Sequence, residues 1–159
     1  MLKRTFLTLA ALAATSGSPA QLPNDRWHVA STPDGALIVR YRGAFPDWVD
    51  RKSWPNLVGI KWPLEGKAAM PSKDESTRQY RFEDALQGAV EVAHVGVLAV
   101  VITGDGYVEW LYYSPSHDKF MATLNEALRG KPPLPLQISL EQDPDWVNYT
   151  DFAEKTVPR

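Results

Sequence analysis

The stretch from Val95 to Ser114, VGVLAVVITGDGYVEWLYYS, decides the fold that this sequence predicts. Its first part, Val95 to Thr103, is apolar on both alternating faces, which is typical of a strand buried on two sides. A Gly-Asp-Gly link follows, and after it a second strand-like run that is rich in aromatic residues, Tyr107 to Tyr113. Two such runs around a short glycine-containing link predict a β-hairpin.

The two glycines of the link, Gly104 and Gly106, raise the alternative of a phosphate-binding loop. Such a loop opens a helix, because the helix N-terminus supplies the amide groups that hold the anion. Here β-prone residues follow Gly106 instead. The link is therefore interpreted as a turn between two strands, and we expect no cofactor.

Strand and helix patterns precede this hairpin. Trp27–Thr32 and Ala36–Arg42 flank a Pro-Asp-Gly turn and predict a first hairpin, and Leu57–Trp62 predicts a third short strand. Ser72 and Glu75 have the spacing of a capping box at a helix start. Apolar residues then recur at three- and four-residue steps, as on one face of a helix.

Three further elements are predicted after the hairpin. A second helix begins near Ser114-Pro115-Ser116, where proline suits the first helical position, and it ends at Arg129-Gly130. Leu136–Glu141 alternates apolar and polar residues, as a half-exposed strand does. Asp143 then precedes a short helix, because carboxylates favour the positive end of the helix dipole, and the aromatic residues of this segment are expected to dock as one stripe.

The predicted order is β-β-β-α-β-β-α-β. Without its first two strands it becomes β-α-β-β-α-β, the split β-α-β arrangement of ferredoxin-like folds. We therefore predict an α+β fold, in which an antiparallel sheet carries two helices on one face and a ferredoxin-like core is extended by an N-terminal β-hairpin. In the bare core Val95–Thr103 would be an edge strand, so its two apolar faces imply a cover, either that hairpin or the C-terminal aromatic segment.

The first twenty residues predict a secretory signal peptide. Lys3 and Arg4 give a basic start, Thr5–Thr15 is a short apolar run, and Ser18-Pro19-Ala20 places small residues at the cleavage positions. A permanent membrane helix needs about 20 apolar residues, so this run is too short for one. The alternative is a buried or anchoring N-terminal helix. We predict cleavage after Ala20, a single domain over residues 21–159, and a periplasmic or secreted protein with no permanent membrane anchor.

Composition excludes several classes of function. Cleavage would leave 15 basic and 19 acidic residues, a net charge of −4. Mild acidity without a basic block argues against a nucleic-acid partner. The chain contains no cysteine, which excludes disulfides, zinc–thiolate sites and thiol nucleophiles.

Several phrases of the sequence, taken together, resemble the bacterial domain-of-unknown-function family 695. They are MPSKDESTRQYRFEDAL from Met70, EWLYY from Glu109, Leu124-Asn125 with Leu128, and DPDW from Asp143 with Tyr149 and Phe152. The similarity extends from about Pro55 to Phe152. It implies an α+β domain without an assigned reaction, in a family sometimes found beside domains similar to an inhibitor of a bacterial ribonuclease. It supplies no catalytic residue.

No local pattern indicates a metal centre or an enzyme. His28, His94 and His117 lack ligand spacing and are interpreted as ordinary structural or surface histidines. The acidic C-terminal segment lacks the twelve-residue calcium loop, and no G-x-S-x-G motif occurs. A carboxylate pair acting as acid and base leaves no local signature, so a small cell-envelope hydrolase stays as the alternative function, with Glu109 as its first candidate acid.

Two surfaces are candidate binding sites. Alternation along the strands places charged residues and tyrosine hydroxyls on one sheet face, provided that the strands align as assumed; the alternative is a solvated face with cross-strand ion pairs. The second surface is the long loop Gly43–Pro55, since exposed tryptophans can anchor an interface, although they can also cover a core. The candidate residues are Arg40, Lys61, Glu109 and Tyr113 on the sheet, and Trp48 and Trp54 in the loop.

The sequence therefore predicts an exported, non-catalytic binding domain, monomeric or weakly homodimeric, whose partner is another protein or a small-molecule ligand. No metal is expected. A buried Glu109 with a raised pKa would favour the hydrolase, whereas an exposed Glu109 paired with Arg40 or Lys61 would favour the binding domain.

Overall fold

The computed structural model describes residues 10–11 and 26–155, and this part of the chain forms one sheet with three α-helices. The strands are β1 (Ala10–Ala11), β2 (Trp27–Ser31), β3 (Leu37–Arg42), β4 (Asn56–Pro63), β5 (Val97–Gly104), β6 (Tyr107–Ser114) and β7 (Gln137–Gln142). The helices are α1 (Lys73–Val92), α2 (His117–Leu128) and α3 (Val147–Lys155), with short 3-10 helices at Arg51–Ser53 and Glu65–Lys67. The predicted signal peptide lies outside the described residues, except for Ala10 and Ala11.

The strands lie side by side in the order β1-β2-β3-β5-β6-β4-β7, and the neighbouring strands are antiparallel. β6 lies between β4 and β5, and β4 lies between β6 and β7. Because α1 connects β4 to β5 and α2 connects β6 to β7, each helix links two strands that a third strand separates. This is the arrangement of split β-α-β units, and the predicted α+β fold is confirmed.

β5 is covered along its edge and on both faces. β3 pairs with it from Leu37↔Gly104 to Tyr41↔Val100, so the N-terminal hairpin extends the sheet on this side. Leu98 belongs to the core cluster beneath α1 and α2, whereas Val97 belongs to the cluster beneath α3. We call these two sides of the sheet the α1/α2 face and the α3 face. Both covers that the sequence left as alternatives are present.

The core of the α1/α2 face is built around large aromatic side chains. The Phe82 ring lies against those of Trp62 and Trp110, with ring centroids 6.3 and 5.0 Å apart, and Phe120 of α2 lies 5.2 Å from Tyr112. All five side chains are at most 4% exposed. Burial of each of these side chains stabilises the fold by roughly 1.5–3 kcal/mol. This aromatic layer therefore holds α1 and α2 against the sheet.

The predicted capping box at the start of α1 is confirmed. The Ser72 hydroxyl accepts a hydrogen bond from the Glu75 amide, and the Glu75 carboxylate accepts one from the Ser72 amide, both at 3.2 Å. The other carboxylate oxygen accepts a hydrogen bond from the Glu65 amide at 2.9 Å. These bonds, the one from Glu65 foremost, hold the pKa of Glu75 below its ordinary value. The helix start is thereby fixed to the turn that precedes it.

β7 differs from its prediction. The alternation of Leu136–Glu141 predicts a half-exposed strand, but all six residues of β7 are exposed. None of them belongs to either core cluster, because both clusters lie over the inner strands of the sheet. Ile138 and Leu140, 40% and 47% exposed, are therefore apolar side chains at the edge of the sheet.

The Gly-Asp-Gly link is a tight turn, as predicted. Asp105 and Gly106 both have positive φ, 52° and 85°, which a two-residue type I′ hairpin turn requires. Gly104, the last residue of β5, has φ 131°, and a Cβ atom there would lie 2.0 Å from the carbonyl oxygen of Ala36. Glycine is thus required at this position both by its conformation and by the close passage of the backbone before β3.

We expect Gly104→Ala to lower the free energy of unfolding by about 2 kcal/mol or more, because the substitution adds backbone strain to a clash with a main-chain atom. The matched control is Gly88→Ala in α1, where a Cβ atom meets nothing within 4 Å. That variant should be more stable by about 0.5–1 kcal/mol. Urea unfolding of both variants checks this, and a Gly104→Ala variant as stable as the parent would contradict it.

Candidate functional site

Tyr113 and Trp54, two of the candidate residues, belong to the buried attachment of α3. The Tyr113 hydroxyl donates a hydrogen bond to the Asp143 carboxylate at 2.6 Å, and its ring stacks on that of Trp146 with centroids 3.8 Å apart. The Trp146 indole donates to the Trp54 carbonyl oxygen at 2.9 Å. Tyr113 is 0% exposed and Trp54 5% exposed. Neither side chain is available at the surface.

The Asp143 carboxylate also caps α3. It accepts hydrogen bonds from the amide groups of Val147 and Asn148 at 2.8 and 3.0 Å, and from the Asn148 side chain at 3.0 Å. Burial alone would raise the pKa of Asp143, but the hydrogen bonds from Tyr113, Asn148 and Val147 outweigh it and hold the pKa below its ordinary value. Burial and the bond to Asp143 raise the pKa of Tyr113, so this hydroxyl stays protonated as a donor. The short helix predicted after Asp143 is confirmed, with a structural carboxylate at its start.

Arg40 lies on the face of the sheet opposite to Glu109, and the strand alignment assumed for the polar face is wrong at this point. Arg40 pairs with Val101 of β5, which pairs with Trp110 of β6, so Arg40 shares the α1/α2 face with Trp110. There its guanidinium group forms an ion pair with Glu83 of α1, and the Trp110 indole donates to the same carboxylate at 2.7 Å. Arg40 therefore joins β3 to α1.

Lys61 and Glu109 do lie side by side on the α3 face. Their Cα positions are directly opposite in the β4–β6 ladder, and the Lys61 ammonium group lies 4.2 Å from the centroid of the Tyr107 ring. Glu109 is only 5% exposed. A Cβ atom on Gly59 would lie 2.5 Å from the Ser139 hydroxyl oxygen and 3.6 Å from Glu109 Oε1, so the missing side chain leaves room for both groups. We call Lys61, Glu109 and Ser139 the Glu109 corner.

Trp48 forms a surface together with His94. The two rings stack with centroids 4.3 Å apart and an angle of 9° between their planes, while Trp54 supports Trp48 from the core side at 5.6 Å. Trp48 is partly buried and His94 is exposed. We call Trp48 and His94 the Trp48 surface.

The sequence did not predict that His94 stacks on Trp48. His94 follows the end of α1 with φ 52°, a left-handed conformation that turns the chain out of the helix. Nothing in the local sequence relates it to Trp48, because the two residues lie on separate segments and meet only in the folded chain. Its interpretation as an ordinary structural or surface histidine rested on the absence of ligand spacing.

A cleft of about 390 Å³ lies beside the hairpin turn. Its lining residues are Pro63, Leu64, Lys67, Ala69, Asp105 and Gly106. Lys67 and Asp105 are both exposed, and none of the six candidate residues lines the cleft. Within the described ranges no group of three or more His, Asp or Glu side chains is placed to hold a metal ion, and no described helix is long and apolar enough to cross a membrane.

The model of the family of unknown function DUF695 matches residues 25–153. This range contains β2 to β7, α1, α2 and most of α3. No curated protein and no solved structure matches the chain. The resemblance predicted from the sequence phrases is thereby confirmed.

We expect Tyr113→Phe to lower the free energy of unfolding by about 1.5–3 kcal/mol, because it removes a hydrogen bond to a buried carboxylate. Tyr112→Phe is the matched control, since the Tyr112 hydroxyl is buried but has no hydrogen-bond partner among the described residues. That variant should be as stable as the parent or slightly more so. Chemical denaturation distinguishes the two, and equal losses in both variants would show that the bond to Asp143 is not the cause.

Proposed function

We propose that this chain, which belongs to the family of unknown function DUF695, is an exported, non-catalytic binding domain whose contact surface is the Trp48 surface. The observation that carries the proposal is the parallel stack of Trp48 on His94 at the protein surface. Export is proposed from the predicted signal peptide, and the mild negative charge argues against nucleic acid as the ligand.

The stack makes Trp48 a pre-organised contact. Because His94 lies against one side of its ring and Trp54 supports it from within, little side-chain freedom remains for a ligand to remove. Tryptophan is enriched among the residues that contribute most to binding energy, and the exposed His94 extends the area around it. An apolar or aromatic group of a small molecule or of a protein would fit such a surface.

Three of the other candidate residues support this choice by elimination. Arg40 is engaged with Glu83, Tyr113 with Asp143, and Trp54 lies in the core. A double replacement of Trp48 and Trp54 is therefore a poor test of binding, because truncation of the buried Trp54 is expected to cost about 3–5 kcal/mol. Trp48 alone is the informative position.

We expect Trp48→Ala to fold and to lose ligand binding. Purified protein is screened by thermal shift against divalent metals, sugars, nucleotides, amino acids and cell-wall fragments, where a ligand at a hundred times its Kd adds about 2.7 kcal/mol. The matched control is Tyr80→Ala, which removes an exposed aromatic residue from α1 (Tyr80 is 63% exposed). A compound that stabilises the parent and Tyr80→Ala but not Trp48→Ala is the expected result. A shift that persists undiminished in Trp48→Ala would place binding elsewhere.

A protein partner is tested with the same pair of positions. A photo-crosslinking residue is placed at position 48 or at position 80, and each variant is irradiated in the intact cell envelope. We expect a discrete crosslinked species from position 48 only. The same species from both positions would argue against the Trp48 surface as the contact.

A second candidate function, a small cell-envelope hydrolase, rests on the burial of Glu109. This residue is 5% exposed and lies opposite a lysine and near the Ser139 hydroxyl, an arrangement that can hold a general acid beside a substrate. In this function Glu109 would act as the acid, and Trp48 would take no part in the reaction.

If the Glu109 corner is catalytic, Glu109→Gln should abolish turnover of any compound that the thermal-shift screen identifies and should leave its binding in place. The loss expected for a general acid is about 100-fold to 10,000-fold in kcat. The matched control is Glu126→Gln, which makes the same change on the surface of α2, away from this corner. Absence of turnover in the parent protein, with bound compound confirmed, would remove the hydrolase and leave the binding domain.

A further inference from the structure

We propose that the edge of β7 pairs with the β7 edge of a second copy of this chain, so that two sheets join into one continuous sheet around a twofold axis. This proposal is independent of the Trp48 surface. It rests on the exposure of β7, on the direction of its backbone groups, and on the side chains that lie opposite each other when two β7 strands pair antiparallel.

β7 is the outermost strand of the described sheet on this side, and it pairs only with β4. An edge strand presents a row of backbone donors and acceptors to any strand that approaches it, and natural edges are commonly protected by charge, proline or a bulge. β7, with the sequence QISLEQ, has one charged residue, Glu141, and no proline. Its apolar residues Ile138 and Leu140 are 40% and 47% exposed.

The backbone groups that point away from the sheet belong to alternate residues. The Asp143 amide donates to the Pro55 carbonyl at 2.7 Å and continues the register that pairs Leu57 with Glu141 and Gly59 with Ser139. Hydrogen-bonded and non-hydrogen-bonded pairs alternate along an antiparallel ladder, so odd-numbered residues of β7 bond to β4. The N–H and C=O groups of Ile138, Leu140 and Gln142 therefore face outward.

A twofold axis through Ser139 uses these groups fully. It places Ile138 opposite the second copy's Leu140, and Leu140 opposite the second copy's Ile138, in two hydrogen-bonded pairs. The four apolar side chains then meet on the α1/α2 face, since Ile138 and Leu140 lie beside Ile60 and Val58. On the other face each Glu141 lies opposite a Gln137, so no two carboxylates face each other and an amide can donate to each.

Shifting the axis by one residue loses this match. An axis through Leu140 would place Leu140 opposite its own copy but Ile138 opposite Gln142 and Glu141 opposite Ser139, which leaves one apolar pair instead of two. The six-residue edge makes a small interface, and interfaces of this size are weak. We therefore expect a concentration-dependent homodimer.

Single-cysteine variants test the register directly, because the chain contains no cysteine of its own. Non-hydrogen-bonded pairs have Cα atoms about 4.5 Å apart, within the range of about 4.4–6.8 Å that a disulfide spans. Ser139→Cys should therefore form disulfide-linked dimers under mild oxidation. Gln137→Cys or Glu141→Cys alone should not, but an equal mixture of the two should give the mixed dimer. Equal crosslinking by all three single variants would overturn the proposal, because it would show random collision.

Sedimentation of the unmodified protein over a range of concentrations gives a second measurement. We expect the mean mass to rise towards twice that of the monomer, and Leu140→Lys to abolish this rise without lowering the Tm, because Leu140 lies outside both core clusters. A protein that stays monomeric at all concentrations would overturn the proposal. So would a dimer that persists unchanged in Leu140→Lys, since its interface would lie elsewhere.

Discussion

The buried carboxylate of Asp143 is the interaction on which the arrangement of the α3 face depends. It accepts hydrogen bonds from the Tyr113 hydroxyl of β6 and from the first amide groups of α3, so one charge joins the sheet to the start of the helix. Because α3 is held there, Trp146 and Tyr149 can cover the apolar side of the sheet. A charge with fewer partners would be costly at this depth, and the complete set of donors makes it stabilising.

Several residues of the sequence motifs that carry the family resemblance form structural contacts of this kind. Glu75 closes the capping box of α1, Trp110 donates to Glu83, and Tyr113 is bound to Asp143. Glutamate, aspartate and tyrosine can serve in catalysis, but here each of them has a structural partner. A function for the chain is therefore better sought among side chains that stay accessible in the folded chain. Trp48 packs against the core through Trp54, yet it is only partly buried and its ring stacks on an exposed histidine.

Alternation along a strand predicted which residues of that strand lie on opposite faces of the sheet. It did not predict which residues of different strands share a face. On β3, Arg40 and Val39 lie on opposite faces, as alternation requires, yet the face that Arg40 shares was set by the pairing of β3 with β5 and by Glu83 on α1. Lys61 and Glu109 were placed correctly relative to each other because β4 and β6 pair directly. The prediction failed where an intervening strand decided the register.

The sequence by itself determined the features that depend on neighbours along the chain. The turn at Asp105-Gly106 follows from backbone conformations that these residues tolerate, and the cap at Ser72 from hydrogen bonds three residues apart. Only the tertiary structure decided that Trp54 is buried and that Trp48 meets His94 at the surface. The physical reason is that local geometry is encoded within a few residues, whereas burial and stacking depend on segments that become neighbours only after the sheet and helices have packed.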